Sequence, residues 1–169
     1  MLPVYASEIF HVGAEGLGLL QAAPSVGAVI VSVLFAHYRL RGNVGRQILL
    51  TVCAFGITIV FFAISRNIYI SLALLVLYGA TDSVSVIIRS TVIQLLTPNE
   101  MRGRVGAVNS MFIITSNEIG AFESGLTAKL LGLVPSVLIG GVMTLLTVGI
   151  VAAAAPKLRK LRGEDLLQQ

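Results

Sequence analysis

Charge is scarce in this chain. Only 12% of its 169 residues are Asp, Glu, Lys or Arg, against about a quarter in an ordinary soluble domain. With a hydrophobic share of 56% and a mean hydropathy of +0.91, that shortage excludes a soluble globular domain. Cysteine is almost absent too. The single Cys53 lies inside an apolar run, which excludes a disulfide framework or a zinc site within one chain. There is no phosphate loop, no Cys/His metal spacing and no nucleophile elbow. Gly79-Ala80-Thr81-Asp82 is not the Gly-x-Gly-Asp of an intramembrane aspartyl protease. An enzyme is therefore not expected, and neither a cofactor nor a metal is called for. The first residues lack a basic region and a small-residue cleavage site, so they do not read as a signal peptide. The net charge of +4 and pI near 9.6 could suggest nucleic acid, but the basic residues sit in short loops and a tail. They form no continuous face with interleaved aromatics, so no nucleic-acid partner is expected.

What the chain has instead is apolar runs near the ~20 residues that cross a bilayer as a helix. Residues 1–10 read as the closing turns of a transmembrane helix, too short by themselves to cross ~30 Å of hydrocarbon. Glu8 to Glu15 reads as a polar loop at a membrane surface. Within 11–155, five full spans are expected: 16–36, 47–64, 68–88, 105–127 and 133–155. The first carries Pro24 and two small-residue faces, Ala23 with Gly27 and Ala28 with Ser32 and Ala36, which let helix backbones approach closely. Pro156 ends the last span, and 156–169 forms a basic tail. The fold class is thus all-α integral membrane, with about five full transmembrane helices plus a helix stub.

Orientation follows from the basic residues. One side carries Arg39, Arg41, Arg46, Arg102, Arg104 and the tail's Lys157, Arg159, Lys160 and Arg162, whereas the other carries Arg66 and Lys129 beside Glu8 and Glu15. The positive-inside rule places loops 37–46 and 94–104 and the C-terminus in the cytoplasm of a multi-pass cell-membrane protein.

Ionisable groups inside the spans are the functional candidates. A carboxylate at bilayer depth is costly, roughly 2.5–3.5 kcal/mol on insertion scales, so it should face protein or a water-filled cavity. Asp82 lies ~21 Å along the third span at 1.5 Å per residue. It is either a protonatable or substrate-facing acid with Arg89 as its charge partner, or a structural polar contact with Arg89 snorkelling to the interface. Glu118 lies ~20 Å into the fourth span, near the midplane. Glu123, five residues on, points elsewhere and nearer the outside. A carboxyl held away from water is easier to protonate, which suits proton coupling; hydrogen bonding to a neighbouring helix is the alternative. Asn109 and Asn117 read as interhelical polar contacts. Between the third and fourth spans the chain turns at Thr97-Pro98-Asn99 and passes the basic cluster Arg102-Gly103-Arg104.

That hairpin, from Thr97 to Val105, followed by Val108-Asn109-Ser110 and by Asn117 to Gly125, resembles the C-terminal half of a major facilitator superfamily transporter. The similarity is greatest to the prokaryotic enterobactin (siderophore) and multidrug exporter branch. Leu2 to Ala6 and Gly16 to Leu20 are similar to the seventh-to-eighth helix region of that branch. The resemblance implies that residues 1–10 end a helix 7 and that the full spans are helices 8–12. It also implies a small-molecule substrate, and a partner in the missing N-terminal half of the same transporter. Helices 7 and 10 would line the central cavity, and the loop motif would comprise Pro98, Arg102, Gly103 and Arg104. The family's other loop motif survives only in degenerate form at Arg41 to Arg46, with Asn43 near where an acid would stand. The expectation is a proton-coupled exporter fragment, inactive without its first half. The rival is a non-transporting remnant or a regulatory half that binds another transporter.

Overall fold

A computed structural model describes residues 2–37 and 43–155, and its elements are all helices. Helix α1 (Leu2–Val4) continues as a π-helical turn, Tyr5–Ile9. Then come α2 (Ala14–His37), α3 (Val44–Ile64), α4 (Ile68–Leu96), a 3-10 turn at Asn99–Met101, α5 (Arg102–Leu131) and α6 (Leu133–Ala154). The tail, Arg39 and Arg41 lie outside the described residues.

Helices α2, α3, α4 and α6 are long and apolar enough to cross a membrane. Helix α5 has 30 residues, ample at ~1.5 Å each, but it is interrupted by Asn109, Asn117, Glu118 and Glu123 and is less apolar. The five expected spans resolve into four strongly apolar helices and one longer, more polar one. Boundaries also move by a few residues, most where the third and fourth spans meet. Helix α4 runs on past Ile88 to Leu96, and α5 starts at Arg102. Arg102, Gly103 and Arg104 therefore form the first turn of a helix, not a loop. Their placement in a loop rested on the charged run between two apolar spans; cations are also disfavoured beside the positive end of a helix dipole. The structure offsets this with a lead-in turn, in which Met101 N–H donates to the Pro98 carbonyl at 3.0 Å. The Arg102 Nε also folds back to donate to the Thr97 carbonyl at 3.3 Å.

The most extensive packing is between α2 and α4. Helix α2 buries Leu20, Ala23, Gly27 and Val31, spaced three and four apart on one face. At the crossing a Cβ on Gly27 would run into the Val76 carbonyl, and one on Gly79 into the Pro24 carbonyl. The two backbones are thus in direct contact, as small residues permit in membranes. Of the two small faces expected on α2, Ala23 with Gly27 is the buried one. Ser32 lies on the exposed side and bonds its own helix at Ala28. Helix α3 packs against both α4 and α6, burying Gly56, Thr58, Phe62 and Ala63.

The connections are short. Asn67 caps α4 by accepting from Tyr69 N–H at 2.9 Å, and the fully buried Ser71 donates to Ser65 Oγ at 2.9 Å. Gly132, at φ +92°, is the single residue between α5 and α6. The left-handed backbone there suits glycine.

The stub α1 is firmly seated. Tyr5 is fully buried, with its ring 5.0 Å from that of Phe62 and 6.2 Å from that of Phe10. Its hydroxyl has no hydrogen-bond partner among the described residues. Tyr5→Ala is expected to lower stability by about 3–5 kcal/mol, as truncating a buried aromatic does. Tyr5→Phe removes a hydroxyl that makes no hydrogen bond among the described residues and should change stability by less than ~1 kcal/mol. Thermal unfolding of the two variants in detergent separates the ring from the hydroxyl.

Candidate functional site

Helix α5 stands at the edge of the bundle. Its main contact is with α6, and none of its residues is buried. Between α5 and the rest of the bundle lies a cleft of about 570 Å³. Two kinds of wall enclose it. Ser116, Gly120 and Ser124 line it from α5, and Ser136, Gly140 and Thr144 from α6. Each set is spaced i, i+4, i+8, which puts a small polar stripe on one face of each helix. Opposite stand Phe55, Thr58, Ile59 and Phe62 of α3 with Leu74, Leu75 and Tyr78 of α4. Near the turn that joins α5 to α6 the walls are tied by hydroxyls, with Thr127 Oγ1 and Ser136 Oγ 2.7 Å apart. Ser136 also donates to the Ser124 carbonyl at 3.3 Å. A Cβ on Gly120 or Gly140 would meet nothing, so both walls are open to close approach.

The stub α1 points into this cleft. Leu2 lines it, whereas Glu8 and Ile9 lie beside Ser65 and Val134, at the end where α3 stops and α6 starts. Following the chain backwards from Ile9 to Leu2 thus leads from the end of the bundle into the cleft.

The residues singled out from sequence are placed as follows. Asp82 is exposed on α4, one turn beyond the cleft residue Tyr78. Arg89 is exposed, and its Nε donates to the Ser85 carbonyl at 3.4 Å. Asp82 and Arg89 form no ion pair; seven residues of helix separate them by ~10 Å along the axis. Glu118 and Glu123 are exposed on α5, and no carboxylate among the described residues is in an ion pair. Asn117 lines the cleft, and Asn109 lines two depressions beside the first turns of α5. Within the described residues neither amide reaches another helix, because α5 diverges from α4 beyond their shared turn. Pro98 precedes the 3-10 turn, and Arg102, Gly103 and Arg104 open α5. Asn43 precedes α3 with a buried Oδ1 that has no partner among the described residues.

Sequence reasoning missed the hydroxyl stripes of α5 and α6. Their signal is legible in retrospect: Ser116-Gly120-Ser124 and Ser136-Gly140-Thr144 repeat one small-polar pattern at the same spacing. Charge and amide groups mark Asp82, Glu118, Asn109 and Asn117, whereas a hydroxyl beside glycine stands out little from the small residues around it.

A family model of the major facilitator type, described as a transmembrane secretion effector, matches residues 1–169. No curated protein and no solved structure matches the chain.

Proposed function

The chain belongs to the transmembrane secretion effector family of major facilitator transporters, and from that premise we propose that it forms the C-terminal half of a proton-coupled exporter. The substrates are siderophore or drug-like small molecules, and the chain is inactive until an N-terminal half completes it.

The observation that carries this reading is the uncovered face of α5. Asn117, Glu118 and Glu123 stand exposed on a helix with no buried residue. In a bilayer such groups need protein or water beside them. A second helical half supplies both, one body against α5 and a water-filled path between the halves at mid-membrane. The cleft adds a further support. Its stripes of small residues, its open glycines and the direction of α1 fit the seat of a helix leading into Leu2, the helix 7 of the family. In this reading Arg46, Arg102 and Arg104 face the cytoplasm, and Asp82 and Glu118 load and release protons.

The test is reconstitution. The chain is placed in proteoliposomes alone, and again with the first six-helix half and helix 7 of a related exporter. Gradient-driven flux of a fluorescent drug and of a ferric-siderophore analogue is then followed. Flux only in the combined sample is the expected result. Flux by the chain alone overturns the half-transporter reading. Co-purification with an intact transporter whose flux it alters, with none of its own, favours the regulatory half instead.

A further inference from the structure

At the end of the bundle opposite the Arg102–Arg104 turn, a further depression of about 390 Å³ lies between the α1–α2 link, the end of α3 and the start of α6. Its lining holds one acid, Glu8, one permanent cation, Arg66, and one imidazole, His11, beside the apolar side chains of Ile9, Ala63, Ile64 and Val134. All three polar side chains are exposed, and none makes an ion pair or side-chain hydrogen bond among the described residues. His11 is also the one non-glycine residue among the described residues with a left-handed backbone, at φ 52°. Such a conformation is uncommon for a side-chain-bearing residue.

Opposite charges in the lining of one depression, left unpaired with each other, are complementary to a ligand that itself carries both signs. The location narrows the choice. The depression lies where the apolar helices α3 and α6 reach their ends, at the level of lipid headgroups. Its lining mixes apolar and charged side chains, matching the boundary between acyl chains and headgroup. We propose that this depression binds the headgroup of a zwitterionic phospholipid with a primary ammonium, of the phosphatidylethanolamine class. The ammonium is held by the Glu8 carboxylate, the phosphate by the Arg66 guanidinium with help from His11, and the glycerol end rests on Ile64 and Val134. A carboxylate accepts hydrogen bonds from a primary ammonium but not from a quaternary one, so phosphatidylcholine binds less well. An anionic lipid with no ammonium leaves Glu8 facing its phosphate and is disfavoured. No part of this rests on proton coupling or on the identity of the exported molecule.

The test is native mass spectrometry of the purified full chain in detergent, titrated with short-chain phosphatidylethanolamine, phosphatidylcholine and phosphatidylglycerol. The expected result is preferential retention of phosphatidylethanolamine, by about three- to fivefold for one partly screened charge contact. Glu8→Gln removes the preference over phosphatidylglycerol, and Arg66→Gln lowers retention of all three lipids. Both side chains are exposed, so the variants should keep the parent's unfolding temperature, and that is measured alongside. Equal retention of the three lipids overturns the proposal, as does a preference unchanged in both variants. Retention of phosphatidylglycerol above the others, lost in Arg66→Gln alone, also overturns it and points to a simple anion site.

Discussion

Replacing Gly79 by alanine is expected to destabilise the chain by about 1–3 kcal/mol or more, the usual range for overpacking a tight contact. The added methyl would meet the Pro24 carbonyl, which is backbone and cannot rotate away. Helices α2 and α4 must then separate along the most extensive interface in the bundle. Gly27→Ala should act alike, because its Cβ would meet the Val76 carbonyl and the Ala80 nitrogen. Intrinsic helix propensity works in the other direction, favouring alanine by about 1 kcal/mol. A loss of stability would therefore be a loss net of that gain. Gly149→Ala is the control: a Cβ there meets nothing within 4 Å, so propensity alone should leave stability level or slightly higher. At Gly141 the nearest atoms are side-chain carbons, Val60 Cγ2 at 2.7 Å and Ile59 Cγ2 at 3.2 Å. Those can turn aside, and Gly141→Ala should fall between the two extremes. The double variant of Gly27 and Gly79 should lose less than the sum of the singles, since one separation relieves both clashes. Thermal unfolding in detergent reads all five variants, at roughly 2–4 °C per kcal/mol for a chain of this length. Equal stability of Gly79→Ala and Gly149→Ala would remove the backbone contact from the account.

This crossing marks how far the sequence could be read. The Ala23/Gly27 face of α2 was visible because small residues recur every fourth position within one run. Its partner on α4 was not, since nothing in a periodicity says which helix, fifty residues later, meets that face. Span positions were legible because apolar length is dictated by bilayer thickness. Ends were less so. Arg89 looked like the close of the third span, yet α4 continues for two more turns, because a long cationic side chain can lie back along its own helix. The depth of Asp82 and Glu118 followed from counting along a helix. What stands beside them did not. Their helices were expected to turn these groups inward, whereas Asp82 stands exposed on α4 and Glu118 stands exposed on α5, a helix with no buried residue.

The second large effect concerns those same carboxylates. Asp82 lies fourteen residues from each end of Ile68–Leu96, about 21 Å at the helical rise. Glu118 lies sixteen residues from Arg102 and thirteen from Leu131, so it too sits near the middle of its helix. Asp82→Asn and Glu118→Gln conserve shape and hydrogen-bonding capacity while removing the exchangeable proton. Both positions are exposed, and neither carboxylate is in a hydrogen bond or ion pair among the described residues, so neither change should disturb folding. In the completed transporter, each is expected to reduce proton-driven efflux to background while substrate still binds. Glu123→Gln offers the comparison within one helix. Five residues further toward Leu131, it lies ~7.5 Å off the level of Glu118, and efflux should largely survive its replacement. The two accounts of these acids diverge on one readout. If Asp82 and Glu118 are structural contacts between halves, the amides keep the contact, and efflux follows the amount of folded protein with its dependence on the pH gradient intact. If they carry protons, folded protein is unchanged and the gradient no longer drives flux. Gradient-dependent efflux in both variants at parental levels would leave proton coupling to other groups, and the mid-membrane acids would then be read as part of the seam that joins the two halves.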